Sequence, residues 1–279
     1  MSQMQWRVVV STVVALYLGG GVASAGPWTP ARGHGQIIFG WTLYRTGEEF
    51  SDARNRVLFG NDGEFSKSEI NPYFETGLTD RLTFVGSLFA SDQGYRNTYG
   101  HLDNHGMGDT ELGLRYRMTG TDRPVIVAVQ GSTKLATGKT SGAIALTNGQ
   151  TDVEGRVLLG GSLGQGEHPP FWNVDAGYRF RAGDPADEVR VDAAIGTYLT
   201  RRVMLIGQAD TITGMQNADA RARELNPTLT PDYDLYRLQG SVVVRVAPRV
   251  RAQAGGFVHA WGRSTGAGGG VIAAVWLEY

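Results

Sequence analysis

The last nine residues of this 279-residue chain, Val271-Ile272-Ala273-Ala274-Val275-Trp276-Leu277-Glu278-Tyr279, constrain its fold more than any other stretch. Val271, Ala273, Val275 and Leu277 share one face of an extended strand, and Trp276 and Glu278 share the other, because successive side chains of a strand point to opposite sides. A helix repeats every 3.6 residues and cannot keep that alternation on two clean faces. The pattern recurs upstream. Gln36 to Arg45 sets Ile37, Phe39, Trp41 and Leu43 against Gln36, Ile38, Gly40, Thr42 and Tyr44. Glu69 to Leu78 sets Ile70, Phe74 and Leu78 against Glu69, Asn71, Tyr73 and Glu75, with Pro72 as a weak point because proline gives a ladder no donor.

Extending the period along the chain predicts further strands over Leu82 to Ala90, Gly108 to Met118, Pro124 to Leu135, Thr151 to Leu163, Phe171 to Arg181, Glu188 to Leu199, Val203 to Thr213, Tyr233 to Val246 and Val250 to Ala260. With the closing strand the expected total is twelve, and uncertain boundaries allow about ten to fourteen. Short turns alternate with long connections over 46–67, 91–107, 136–150 and 214–232, and residues 182–187 form a short connection through Gly183-Asp184-Pro185. The forty glycines are about twice the usual share, which disfavours helices and suits bends and turns.

The start of the chain bears on its destination. Arg7, an apolar run from Val8 to Leu18 and the small-residue site Ala23-Ser24-Ala25 predict a secretory signal peptide over 1–25, with the mature chain starting near Gly26. No later segment has the ~20 consecutive apolar residues of a transmembrane helix. In lipid, the other structure that satisfies its own backbone is a closed barrel. The chain has no cysteine, so an exported fold of this size must be held by other means, such as a closed hydrogen-bond ladder.

The aromatic-ended, alternating last strand resembles the closing strand of bacterial outer-membrane β-barrels. That resemblance implies an all-β, transmembrane, antiparallel up-and-down barrel over 26–279 in a Gram-negative outer membrane. Its partners would be outer-membrane lipid and, during biogenesis, the barrel-assembly machinery that reads such a strand. An even strand count puts both termini on the periplasmic side. The rival architecture is a soluble β-sandwich, which also shows short alternating strands.

If the apolar face meets lipid, the other face lines an interior. Its charged members are Glu69, Glu75, Asp109, Glu111, Arg115, Arg117, Lys134, Asp152, Glu154, Arg156, Asp175, Arg179, Arg181, Glu188, Arg190, Asp192, Asp210, Arg237, Arg245, Arg251 and Glu278. Acids and bases alternate closely enough to pair across neighbouring strands. Two readings follow: a narrow channel for passive passage of small solutes, or a structural barrel plugged by its own ion pairs. Twelve strands lie between barrels filled by side chains and those with wide aqueous pores. The Thr46 to Lys67 connection, being the longest, is the expected constriction.

The segment Asn71-Pro72-Tyr73-Phe74-Glu75-Thr76-Gly77-Leu78-Thr79-Asp80-Arg81-Leu82-Thr83-Phe84 resembles a hairpin of the phenol-degradation (MetA-pathway) outer-membrane transporter family. The resemblance covers this hairpin and the barrel plan, and implies uptake of small hydrophobic or aromatic compounds. The same residues also make a good β-turn, with Thr79 and Asp80 placed to bond nearby backbone.

Other chemistries find little support. The charge balance, 26 basic against 27 acidic residues, gives no footprint for nucleic acid. An outer-membrane lipid hydrolase would need a nucleophile beside a histidine base; His259 has interior parity, and Ser241 on the preceding strand is its candidate partner. His101, Asp103, His105 and Asp109 have a spacing that could clamp a metal, although they fall in an expected solvated loop. No phosphate-binding glycine loop opens a helix, and Gly268 to Gly270 precede a strand, so no cofactor is expected.

Overall fold

The computed structural model describes residues 26–166, 168–183, 185–219 and 230–279. The signal peptide expected over 1–25 lies outside the described residues. Twelve antiparallel strands close into a barrel. They are β1 Gly35–Thr46, β2 Glu64–Gly77, β3 Leu82–Ser87 continued by Ala90–Asn97, β4 Gly100–Met107 continued by Thr110–Arg117, β5 Ile126–Leu135 and β6 Asp152–Ser162; then β7 Phe171–Arg181, β8 Glu188–Tyr198, β9 Val203–Gly214, β10 Asp234–Ala247, β11 Val250–Arg263 and β12 Gly269–Glu278.

Each strand pairs with the next, and β12 returns to β1 in a register that sets Gln36 opposite Glu278 and Arg45 opposite Gly269. Gly35 and Tyr279 exchange backbone hydrogen bonds of 3.1 and 3.0 Å at the end of this seam. Closure satisfies the backbone groups that an open edge would expose.

Threonines set two of the tight turns on the side of the termini. Thr79 Oγ1 accepts from the amides of Arg81 (3.2 Å) and Leu82 (2.9 Å), and Thr200 Oγ1 accepts from those of Arg202 (3.2 Å) and Val203 (3.1 Å). A hydroxyl that takes two amides replaces the bonds the chain gives up in reversing direction.

Pro72 sits within β2 after all. Its carbonyl accepts from Leu88 of β3 at 2.9 Å, so the missing N–H also faces β3 and removes one bond there. The register holds on both sides of it, with Tyr73 opposite Ser87 and Ile70 opposite Ala90. Between β3 and β4 the register does shift. Ala90 faces Met107 but Ser87 faces Glu111, so β4 carries one extra residue near Gly108. This bulge inverts the parity of β4. Asp109, Arg115 and Arg117 point inward below it, and Asn104 does so above it.

The connection expected over 91–107 is therefore a correction: it is a β-hairpin that prolongs β3 and β4, with Arg96 opposite His101. Likewise β2 starts at Glu64, five residues before the expected boundary.

Phe39, Trp41, Ile70, Leu114, Val129, Val157, Val174, Ile195, Leu205, Leu238, Val258 and Val275 are exposed and circle the exterior. A soluble sandwich buries such a set between its sheets; a barrel in lipid displays it. The interior also contains apolar groups. Toward the loop-bearing end, Tyr44, Phe65, Tyr95, Phe257 and Ile272 from the wall pack with Phe59 and Ile144 from the loops after β1 and β5. The loop after β1 is itself ordered: Glu48–Phe50 pairs with Arg56–Leu58 and with Thr265–Gly266 in a small three-stranded sheet. It turns inward, burying Phe50 and Phe59. A second apolar group, Ile38, Met204, Ile206, Val243, Ala274 and Trp276, lies toward the termini.

Candidate functional site: the barrel lumen

Between these apolar groups the wall formed by β4 to β8 is charged, because each of these strands gives at least one inward position to Asp, Glu, Lys or Arg. Lys134 lies 3.1 Å from Asp109 and 3.0 Å from Asp152. Arg181 joins Asp152 (3.8 Å) to Glu188 (3.0 Å), and Arg190 joins Glu188 (2.7 Å) to Glu154 (3.9 Å). Glu154 is also bound by Arg156 and, at 2.6 Å, by Arg179, whose other end reaches Glu111 at 2.9 Å. Arg156 closes on Asp192. Six carboxylates and five cations thus form one connected ladder. Placing opposite charges on adjacent strands supplies the compensation that buried ions require.

Other predicted positions lie around this ladder. Glu69 pairs with Lys67 at 2.6 Å. Glu75 accepts from Arg115 (3.1 Å), Tyr73 (2.8 Å) and Gln36 (2.8 Å). Asp175, Asp192, Asp210 and Arg237 are register neighbours in one row across β7 to β10, and Asp175 is buried. Arg237 donates to Gln239 at 2.5 Å and stands 4.0 Å over the Phe257 ring. Arg251 meets Glu278 at 2.6 Å near the end of the barrel that carries the termini, and Arg245 lies opposite it, half-buried.

Arg117 has the inward phase, but its guanidinium is occupied by polypeptide. It donates to the carbonyls of Asp80 and Thr119, both at 2.8 Å, and to Thr29 Oγ1 at 2.9 Å. Sequence reasoning did not anticipate the reason: residues 26–29 lie inside the barrel, and residues 31–34 follow exposed at its rim. The buried glutamines were also missed. Gln239 donates to Gln208 at 2.5 Å, and Gln253 bridges Ser241 (2.8 Å) and the Trp276 indole (3.1 Å). Their inward parity was the available signal.

Two cavities among the described residues bear on function. One, about 140 Å³, lies against the ladder and is bounded by Tyr73, Arg115, Leu158, Asp175, Asp192 and Asp210. The other, about 430 Å³, opens toward the termini between Trp28, Phe171, Tyr198, Met204, Ile206 and Trp276, with Gln36, Glu75, Ser162, His168, Gln208 and Arg251 as polar groups.

Among solved structures, the chain is similar to an outer membrane channel from Pseudomonas putida F1, with a TM-score of 0.69 at 11% identity over 92% of this chain and 99% of that one. The fold is that of a bacterial outer-membrane β-barrel. Its apolar girdle places the barrel in the outer membrane, crossed many times by strands. The translocator domain of the autotransporter NalP from Neisseria meningitidis is similar at a TM-score of 0.49, with 10% identity over 89% of this chain and 90% of that one. No family model and no curated protein matches the sequence.

The barrel separates the residues considered for catalysis. His259 faces Arg237 in the register, whereas Ser241 faces Gly255, four residues away along β11 and so ~13 Å distant. His259 Nδ1 is hydrogen-bonded to the Gly266 carbonyl at 2.8 Å, and its ring stacks on Tyr44 at 4.7 Å. The expected metal spacing is likewise dispersed: His101 and Asp103 lie exposed on the β3–β4 hairpin, 3.6 Å apart, while Asp109 is buried with Lys134 and Thr147. Among the described residues no three metal-type ligands converge.

Proposed function

We infer that the protein is an outer-membrane channel for passive passage of small, weakly polar solutes, with molecules the size of a substituted aromatic ring as the best fit. The carrying observation is the 430 Å³ cavity, walled by Trp28, Phe171, Tyr198 and Trp276 and given direction by Gln36, Gln208 and Arg251. Apolar walls with a few placed polar groups are the usual make-up of small-molecule sites. The charged ladder fits the same reading, because its acids and bases neutralise one another and leave little net field for inorganic ions. The outer membrane channel from Pseudomonas putida F1 adds support through its shared fold. The reading includes export by a cleavable leader over 1–25, tested by sequencing the amino terminus of the membrane-inserted protein.

The test is solute flux through purified barrels in liposomes. Phenol-sized alcohols are expected to cross faster than disaccharides of equal concentration, and Phe171→Ala with Trp276→Ala to narrow that difference. Equal, background-level flux of every solute through a folded barrel would favour a plugged structural barrel. That second reading draws on the apolar cluster around Phe59 and Ile144, which occupies the outer mouth.

A further inference from the structure

Asp210 on β9 and Arg237 on β10 stand directly opposite each other in the register, which sets their Cβ atoms ~5 Å apart. Elsewhere in this lumen the same relation yields an ion pair: Glu154 with Arg179 at 2.6 Å, and Asp152 with Lys134 at 3.0 Å. Asp210 and Arg237 form none. Asp210 Oδ2 and Arg237 Nε are instead buried atoms with no hydrogen-bond partner among the described residues.

The cause lies on the arginine's side. Arg237 is 3% exposed, and its head is drawn along the barrel wall: Nη2 donates to Gln239 Oε1 at 2.5 Å, and the guanidinium lies 4.0 Å over the Phe257 ring. Gln239 is held in turn by donating to Gln208 at 2.5 Å. These anchors orient Arg237, but none of them is an anion.

Asp210 is left in the complementary state. It borders the 140 Å³ charged cavity, and its other neighbour in the row is Asp192, a like charge that borders the same cavity. The four arginines around that cavity are engaged with other carboxylates: Arg115 with Glu75, and Arg156, Arg179 and Arg190 with Glu154 among others. A buried ion without a counter-ion is strongly disfavoured. Here an acid and a base are both left in that condition, side by side and next to open space.

We propose that Asp210 and Arg237 are the two halves of a binding site for a small zwitterion, with an ammonium and a carboxylate one or two carbons apart. The ammonium, which has three donors and no acceptor, meets the Asp210 and Asp192 carboxylates. The carboxylate takes Arg237 through Nε and a neighbouring Nη, the planar fork that suits two oxygens. A simple amine would leave Arg237 without an anion, and a simple acid would leave Asp210 without a cation. The site adds a second solute class to the weakly polar one, and it does not depend on solute passing through the barrel.

Saturation-transfer NMR on the folded barrel in detergent tests it, with glycine, ethanolamine and glycolate as probes of nearly equal size that carry both charges, the positive one and the negative one. Glycine is expected to bind at least fivefold more tightly than either of the others. Glycine matched by ethanolamine or by glycolate overturns the site, and so does absence of glycine binding, which would mean that the two ions are satisfied by each other or by water. Asp210→Asn with Arg237→Gln removes both charges together and is expected to abolish the preference; a preference that survives in this variant, folded by heat-modifiable migration, overturns the site. If that pair does not fold, Arg237→Lys decides: it keeps the charge and gives up the fork, and should lower glycine affinity at least fivefold while leaving that of ethanolamine unchanged. Unchanged glycine affinity overturns the site. Glycine bound by a barrel that passes no solute keeps the site and removes the channel, whereas alcohols passing a barrel that does not bind glycine keep the channel and overturn the site.

Discussion

Glu154 has three guanidinium groups around one buried carboxylate: Arg156, Arg179 and Arg190. Glu154→Gln removes the charge that compensates them, so a loss of ~3–5 kcal/mol in unfolding free energy is expected, measured by denaturant titration in detergent. Arg251→Gln breaks a pair whose side chains are 22% and 35% exposed, and should cost under about 1 kcal/mol in the same titration. The inward phase of these residues was legible because a period of two labels every position once one strand is anchored. Their partners were not. Arg179 on β7 reaches Glu111 on β4, across a stagger that no single strand encodes. Outside the membrane, burial without a compensating cation pushes the Glu49 carboxyl up to about 7. Glu49 lies opposite Val57 and Gly266 in the small outer sheet. Since the folded loop holds this proton more tightly than an unfolded one, the sheet is most stable below about pH 4.5 and loses that stability as pH rises through 7. Hydrogen exchange of residues 47–58 should follow this course, and Glu49→Gln should flatten it.

Among the elements, the loops departed furthest from expectation. In sequence the hairpin of β3 and β4 reads as a loop, because Asp92, Arg96, Asp103 and His105 break any apolar alternation. Beyond the lipid the outer face of a strand meets water, so a polar residue there is no sign against pairing. The expectation of an inward constriction from 46–67 rested on length, and the element that turns inward is the ordered loop bearing Phe50 and Phe59. Phe59 meets Tyr95 edge-on at 5.9 Å within the mouth cluster. Phe59→Ala is expected to raise solute flux from the outer side several-fold, at a stability cost of ~3 kcal/mol. Unchanged flux would mean the mouth is sealed by the other members of that cluster.

At the scale of the molecule, the barrel plan was readable and its filling was not. Alternation says which side chains point inward, but not that Tyr44, Phe65, Phe257 and Ile272, contributed by strands distant in sequence, meet in the lumen. That depends on closure and shear, which belong to the whole sheet. A closed ladder of this kind unfolds as a unit. Unheated protein in detergent should therefore migrate as a compact species on gels and convert to an extended one on boiling; a single band under both conditions would contradict closure.

The seam of β1 with β12 carries a kinetic consequence. Every other wall contact joins strands that follow one another, but this one joins Gln36 to Glu278 and cannot form until nearly the entire polypeptide is in place. Joining ends so far apart in sequence carries a closure entropy that no pair of consecutive strands has, so this seam is expected to form last. Until it forms, two raw edges face lipid that cannot hydrate them. A chaperoned insertion site that shelters both edges would shorten this interval, and a chain cut short before β12 would never leave it.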